Sequence, residues 1–414
     1  MRQRESADPY AHLDAGAIKS LEANYLFSTY KRYDLVLSHG SGVHVTDIEG
    51  RTYLDFLAGI AVNSLGYNHP RLVKVLIEQG QRMIHCSNLY YHRYQGPLAR
   101  KLVEISGMAR VFFTNSGTEA IEGALKIARA HAHKRGGADK SVILTLKNSF
   151  HGRTLGALSI TAQEKYQAPF RPLVPEVQII EDFTVAALER EFSDKVCALV
   201  MEPIQGEAGV VPVPMEMLKA ARRLCDRHEA VLIFDEIQCG MGRTGRYFAF
   251  QHFDIRPDLV TLAKSLAAGY PLGAILGGAK VADSLQPGEH GTTFGGGPLA
   301  CRLALEVLDV IEQEGLLERV RESGDYLVRG LKHLAGRYGV IREVRGLGLM
   351  IGVEMGPAAK TVVERLMKRG VLANAAHDTV LRLLPPFIVK REDCDEFLTI
   401  LDQVLSEIQA DSPA

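Results

Sequence analysis

The chain has 414 residues, enough for roughly two or three domains of about 150 residues and a large buried core. A formal charge of −1, 46% hydrophobic and 23% charged residues, and no low-complexity tract describe a globular protein. They give no reason to expect nucleic acid or an anionic membrane surface as a target.

The first residues, MRQRESADPYAHLDAG, are polar and lack the apolar core of a secretory signal, and no later run is long enough to span a membrane. Up to about Pro70, short strand-like pieces alternate with Gly turns, as in HGSGVHVTDIEGRTYLDF. From there to about Pro298, short apolar runs (VFFTN, SVILTL, CALVMEP, VLIFDE, LVTLAK) read as buried strands. GTEAIEGALKIARAHAHK and MLKAARRLCDRHEA read as helices between them. Such alternation predicts a mostly parallel sheet covered by helices. After Pro298, CRLALEVLDVIEQEGLLERVRESGDYLVRGLKHLAG reads as one long helix. Two strands follow (GLGLMIGVE and VLRLLPPFIV), then a final helix, REDCDEFLTILDQVLSEIQA. With no Pro- or Ser-rich linker and no repeat, the domains are expected to interweave. The six cysteines (Cys86, Cys197, Cys225, Cys239, Cys301, Cys394) show no CxxC spacing, which predicts reduced thiols in a cytoplasmic protein and no disulfide frame or zinc site.

Several strand ends carry polar groups. Asp235 closes VLIFD, and Lys264 follows LVTLA. A buried lysine near an acid at a strand end suits pyridoxal 5′-phosphate (PLP): the amine forms a Schiff base and the carboxylate keeps the pyridine nitrogen protonated. A solvated loop lysine and an ordinary turn aspartate are the bland alternative. Ser116, Gly117 and Thr118 follow VFFTN at a helix start, where free N–H groups attract phosphate, although Ser116 and Glu119 also have capping-box spacing. Phe150, His151 and Arg153 follow SVILTL. The aromatic ring would stack on a flat cofactor and the arginine fork onto a carboxylate, unless the segment is merely a surface turn. Glu202 and Glu207 lie in MEPIQGEAG. Arg382, flanked by leucines, needs a carboxylate partner if buried, which Glu207 or a substrate would supply. CGMGRTG contains a literal GxGxxG, but an aromatic, poorly helical stretch follows, which disfavours a nicotinamide site. The fourteen histidines show no metal-ligand spacing, and His151 reads as a neighbour of a cofactor ring.

Together, and in this order, these segments resemble the class III (ω-amino) aminotransferases from about Tyr30 to Val389. The resemblance implies an α/β protein of the fold type I PLP-dependent transferases. Its large domain (71–298) would bind PLP on a mostly parallel sheet. A smaller α+β domain would be built from both chain ends (1–70 and 299–414). Lys264 would carry the cofactor and Asp235 bind its pyridine nitrogen. Gln238 would lie near the phenolic oxygen, Ile237 and Phe150 on the ring faces, and Ser116, Gly117 and Thr118 at the phosphate. Thr293, in GEHGTTFGGGP, looks like the threonine that reaches the phosphate in a neighbouring subunit, implying at least a homodimer.

Within the class, HCSNLYYHRYQ, GIAVNSLGYNHP and NAAHDTVLRLLPP look most like the acetylornithine branch. The implied reaction moves the δ-amino group of N2-acetyl-L-ornithine to 2-oxoglutarate. Tyr30, Ser87, Asn88, Arg153, Glu207 and Arg382 would then contact substrate: Arg153 the distant carboxylate, Arg382 the α-carboxylate when Glu207 releases it. Ornithine or 4-aminobutyrate as donor, or a PLP aminomutase, are the neighbouring readings. Two positions depart from the family's pattern: Tyr67, where His is usual, and Gly297, where Asn is usual.

Overall fold

The computed structural model describes residues 8–411. Its centre is a seven-stranded sheet in the order 110–114, 273–277, 259–262, 231–235, 196–201, 142–146, 177–180. The five strands from 259–262 across to 177–180 pair parallel, as expected from their continuous apolar composition. Gly273–Gly277, not foreseen in the sequence, runs antiparallel between 259–262 and 110–114.

The central strands are buried throughout, and successive side chains point to opposite faces of the sheet. Ile143, Ala198, Val200, Val231, Ile233 and Leu259 meet one face, against Ala120, Ile121, Ala124 and Ala128 of the helix Gly117–Gly136. Leu144, Leu199, Met201, Leu232, Phe234, Val260 and Leu262 line the other, over the helix Met215–Arg227. Each large side chain so buried contributes about 1.5–3 kcal/mol. Gly123 lets the first helix approach closely, since a Cβ there would lie 2.4 Å from Ile275 Cδ1.

Two smaller sheets flank this layer. In one, Leu37–Ser41, His44–Asp47 and Thr52–Asp55 are joined by Val371–Leu372, which pairs parallel with Thr52–Asp55. In the other, Glu343–Leu347, Met350–Glu354, Val380–Leu383 and Asn374–Ala376 lie in that order, all antiparallel. One core unites them: Leu54, Phe56, Leu65 and Leu72 pack with Val307, Leu327, Ile351, Leu381, Phe397 and Leu401.

The structure corrects two expectations. The long helix after Pro298 is two helices, Pro298–Gln313 and Leu316–Ala335, because Gly315 at φ 62° starts the second in a new direction. GLGLMIGVE is likewise not one strand but a hairpin: the end of Glu343–Leu347, a turn around Gly348 (φ 56°) and the second strand, Met350–Glu354.

Candidate active site

The ends of the central strands converge on a cavity of about 390 Å³. Ligands of open α/β sheets bind at such carboxyl edges. Asn115–Thr118 enter it after 110–114, Phe150–Arg153 after 142–146, Glu202 after 196–201, Asp235, Ile237 and Gln238 at and after 231–235, and Ala263 and Lys264 after 259–262. Val62, Gly269, Tyr270, Pro271 and Leu272 complete the wall.

Lys264 is held toward its neutral form, chiefly because burial penalises the ammonium; Arg382 nearby pushes the same way, while Glu207, Asp235 and Glu202 oppose it. A neutral amine is the nucleophilic form. Its backbone is left-handed (φ 33°) in a single 3₁₀ turn, Lys264–Ala267. Next to it, Ser265 Oγ donates to Ala61 O at 2.9 Å. That carbonyl ends an unusual turn: Ala58, Gly59, Ile60 and Ala61 have φ of 50°, 63°, 62° and 63°. L-residues resist this conformation by about 1–2 kcal/mol each, so the surroundings must impose it. Asp55 does part of this, accepting from Leu57 N (2.8 Å) and Ala58 N (3.0 Å) through Oδ1, while Tyr67 Oη donates to its Oδ2 at 2.6 Å. Tyr67 thus has a definite role: its hydroxyl stays protonated, the pKa pushed up by burial and by Asp55.

Asp235 is 4% exposed. Its Oδ1 accepts from Ile237 N (3.0 Å) and Thr261 Oγ1 (3.3 Å), and its Oδ2 from His151 Nδ1 (2.7 Å). His151 Nε2 is buried without a partner. Glu202 accepts from Phe150 N (2.9 Å) and Gly206 N (3.0 Å), and burial raises its pKa to about 7.

Beside the cavity, against Gln238, Arg382 is fully buried. Its Nη1 donates to Glu207 Oε1 at 2.5 Å, to Gln238 Oε1 at 3.3 Å and to Gly206 O at 3.3 Å, and its Nε donates to Asn374 Oδ1 at 3.1 Å. Glu207 is therefore the carboxylate that Arg382 needed, and its pKa is lowered: Arg382 outweighs the opposing effect of burial. Arg153 differs: it is exposed, pairs with no carboxylate among the described residues, and lies 3.9 Å over the ring of Tyr166 and 5.5 Å over that of Phe150.

Ser116 Oγ caps Glu119 N at 3.3 Å, so the capping reading holds while the segment also lines the cavity. Gly117 and Thr118 open the helix, so their amides lack intrahelical acceptors. A Cβ on Gly117 would lie 2.8 Å from Ile237 Cδ1, closing the space between helix end and strand end. An anion-ready helix start, a half-buried neutral-leaning lysine, a buried strand-end carboxylate and an unpartnered imidazole nitrogen fit PLP.

Six sequence-predicted residues do not line this cavity: Glu207 and Arg382 adjoin it through Gln238, and the other four lie at the surface. Tyr30 is 77% exposed, and Ser87, Asn88 and Thr293 are exposed. Asn88 Nδ2 donates to Thr292 O (3.1 Å) and Gly295 O (3.2 Å), so these segments form one outer surface. Gly297, the other departure, precedes the helix Pro298–Gln313 at φ −61°, which asparagine also adopts. Sequence reading overlooked Tyr166, Asn374 and the Ala58–Ala61 turn, and assigned Glu202 no role. GxGxxG does not open a helix: Gly240–Gly245 forms turns, and a 3₁₀ turn, Ala249–His252, follows.

The class-III aminotransferase family model matches residues 27–405. The acetylornithine aminotransferase of Methanocaldococcus jannaschii is 47% identical over 94% of this chain and 98% of its own. Among solved structures, the acetylornithine aminotransferase of Elizabethkingia anophelis superposes with a TM-score of 0.85 at 32% identity, over 95% of this chain and 100% of that one. The ornithine aminotransferase of Toxoplasma gondii, in a crystal with partial occupancy of PLP at the active site, gives 0.92 at 36% identity, over 96% and 95%.

Proposed function

The chain belongs to the class-III aminotransferases, and we propose that within that family it transfers the δ-amino group of N2-acetyl-L-ornithine to 2-oxoglutarate. The products are N-acetyl-L-glutamate 5-semialdehyde and L-glutamate, a step suited to arginine biosynthesis. The resident cofactor is PLP. When bound, it supplies the aldehyde that amines attach to and a ring that withdraws electrons.

Lys264 would hold the cofactor, and its amine would be the base that moves the proton at the donor's δ-carbon. Asp235 keeps the pyridine nitrogen protonated, and His151, donating to Asp235, orients that carboxylate. Ser116, Gly117 and Thr118 would hold the phosphate, Phe150 and Ile237 the ring, and Gln238 the phenolic oxygen, all of them residues that line the cavity. Val62, Ile237, Ala263 and Leu272 make the wall apolar and exclude water from the reacting carbon.

The observation that carries this reading is two arginines, one free and one covered: Arg153 lines the cavity without a carboxylate partner among the described residues, and Arg382 sits behind the wall residue Gln238, covered by Glu207. A donor that reacts at its far end presents no carboxylate near Lys264, so Arg382 must be neutralised, and Glu207 does this at 2.5 Å. 2-Oxoglutarate reacts beside a carboxylate, and Glu207 then yields Arg382 to it. Arg153 takes the distant carboxylate of either substrate, its guanidinium set on Tyr166.

The working unit is a homodimer in which Thr293 serves the partner's phosphate. In support, Thr293 adjoins an apolar surface of Ile84, Leu89, Tyr90, Tyr91 and Phe294, all more than half exposed in the single chain. Residues 71–298 are taken as the cofactor-binding domain, with 1–70 and 299–414 sharing the smaller one; the central and flanking sheets have separate cores, and the helices at the two bounds serve both, Leu72 and Val75 joining the flanking core and Ala300, Cys301, Ala304 and Leu308 the central one. A cytoplasmic location is supported by six unpaired cysteines, five of them buried. No helix among the described residues is long and apolar enough to cross a membrane.

The test is a single-turnover absorbance trace of the yellow enzyme with N-acetylornithine and no 2-oxoglutarate. The yellow band should bleach with N-acetylornithine, and at a much lower kcat/KM with ornithine or 4-aminobutyrate. A preference for either of the latter overturns the assignment of the donor.

A further inference from the structure

Arg345, Gly352 and Arg382 stand opposite one another on three adjacent strands. At about 4.8 Å between strands, the two arginines are about 10 Å apart, with no side chain between them. The segment Gly206–Val210, which carries Glu207, crosses this row. At its first end, Arg382 Nη1 donates to Gly206 O and Glu207, and Glu202 accepts from Gly206 N. At its second end, Arg345 Nε donates to Gly209 O (3.1 Å) and Val210 O (3.1 Å), and Nη2 donates to Gly209 O (2.9 Å). Gly352 makes room between them: a Cβ there would come 2.8 Å from Gly209 O. The guanidinium is itself set by Glu343 (2.7 Å) and Glu354 (3.2 Å).

The conformation so held is not one that the segment favours. Gly209 has φ 99°, and Val210, β-branched, has φ 56°. A strained end persists only where its surroundings over-determine it: Gly209 N and Val210 N donate to Gly206 O, Gln205 pairs with Val211, Val210 is fully buried, and Arg345 is the side chain that grips the carbonyls. Without the Arg345 contacts the hairpin pairing remains, but the carbonyls of Gly209 and Val210 lose their side-chain donor and the segment loosens, so Glu207 covers Arg382 for less of the time.

We propose that Arg345 is a positioning residue for the choice between the two substrates: it clamps the downstream end of Gly206–Val210, so that only Glu207 and Ala208 swing and Glu207 returns to Arg382 when no α-carboxylate is bound. The proposal rests on the Glu207–Arg382 gate described above. Loosening the clamp favours substrates that need Arg382 bare and penalises the donor that needs it covered. A merely structural arginine would affect both half-reactions alike.

The test compares the donor half-reaction (N-acetylornithine) with the α-amine half-reaction (L-glutamate) by single-turnover absorbance on PLP-loaded enzyme. The variants are Arg345→Met, Arg345→Lys, Glu207→Ala and the double variant Glu207→Ala/Arg345→Met. In Arg345→Met the ratio of kcat/KM for donor over glutamate should fall about tenfold, mainly through KM. Arg345→Lys should fall between it and wild type, because a lysine ammonium keeps the charge but lacks the fixed planar fork that sets Nε and Nη2 on the two carbonyls. The double variant should match Glu207→Ala alone, since a clamp has nothing to position once Glu207 is gone. If Glu207→Ala shifts the ratio while both Arg345 variants leave it unchanged, or lower both half-reactions equally, the clamp is refuted and the gate stands. If Glu207→Ala leaves the ratio unchanged, the gate falls and the clamp falls with it.

Discussion

Replacing Arg382 by alanine separates the two half-reactions. Arg382 is completely buried, with Nη1 on Glu207 and Nη2 without a protein partner. In the second half-reaction it gives two charge-assisted hydrogen bonds to the α-carboxylate of 2-oxoglutarate, about 1.5–3 kcal/mol each. Breaking the Glu207 contact offsets part of that gain. A net loss of about 3–4 kcal/mol remains, or roughly 10²–10³-fold in kcat/KM for 2-oxoglutarate. In the donor half-reaction Arg382 is only covered. Glu207 keeps a quarter of its side chain exposed, so water replaces the lost partner and the expected loss is below about tenfold. The assay follows bleaching of the yellow enzyme by N-acetylornithine, then recovery of colour from the aminated enzyme with 2-oxoglutarate. An intact donor phase also reports correct folding and cofactor loading. Equal losses in the two phases would refute the assignment of Arg382.

Lys264→Ala should bind PLP without a covalent link, so that borohydride fixes no cofactor to the protein, and turnover should disappear; retained turnover would displace Lys264 from its role. Asp235→Asn keeps the hydrogen-bond geometry but removes the charge, and should slow both half-reactions by about 10²-fold or more; loss in one phase only would argue against a pyridine-nitrogen partner. Tyr67→Phe leaves Asp55 Oδ2 without its 2.6 Å donor and should lower stability by about 1 kcal/mol in urea unfolding; an unchanged midpoint would mean the left-handed turn stands without it. Glu236 is buried, accepts from Ala249 N (2.6 Å) and Phe250 N (2.8 Å), and its pKa is pushed up to about 8. The folded state thus binds a proton that the unfolded chain releases near pH 4.5. Stability from this group is complete below that value and declines as pH rises through about 8. Glu236→Gln should flatten the decline in urea midpoints over that window; an unaltered slope would assign it to other groups.

The buried strands were legible because composition and length act locally: all five residues of VLIFD and all six of VCALVM are buried. Strand-end polar residues then fell together, since a parallel sheet brings its carboxyl edges to one side. What depends on distant contacts was not legible. The apolar surroundings of Arg382 announced a need for a carboxylate, but Glu207 lies 175 positions earlier. Tyr166 sits in a short polar helix that offers no sign of the arginine it supports. The letters AGIA have no left-handed preference beyond one glycine; Asp55, Tyr67 and Ser265 impose the turn from three directions. The helix break at Gly315 was visible in principle, since glycine between two amphipathic runs commonly ends a helix, but continuity of the apolar stripe overrode it.

The parallel pairing of Thr52–Asp55 with Val371–Leu372 has a consequence for synthesis. Leu54 and Phe56, fully buried in the finished protein, leave the ribosome more than three hundred residues before their neighbours at Val371 and Phe397. At about 5–20 residues per second that interval lasts roughly fifteen seconds to a minute. Throughout it, one edge of the N-terminal three-stranded sheet is unpaired and its apolar side lacks the helix Arg391–Asp411. The nascent chain therefore presents a sticky edge while the central sheet is already being assembled. Truncation before Val371 leaves that edge permanently open, and a fragment ending there should aggregate or be retained by chaperones even though every strand of the central sheet is present.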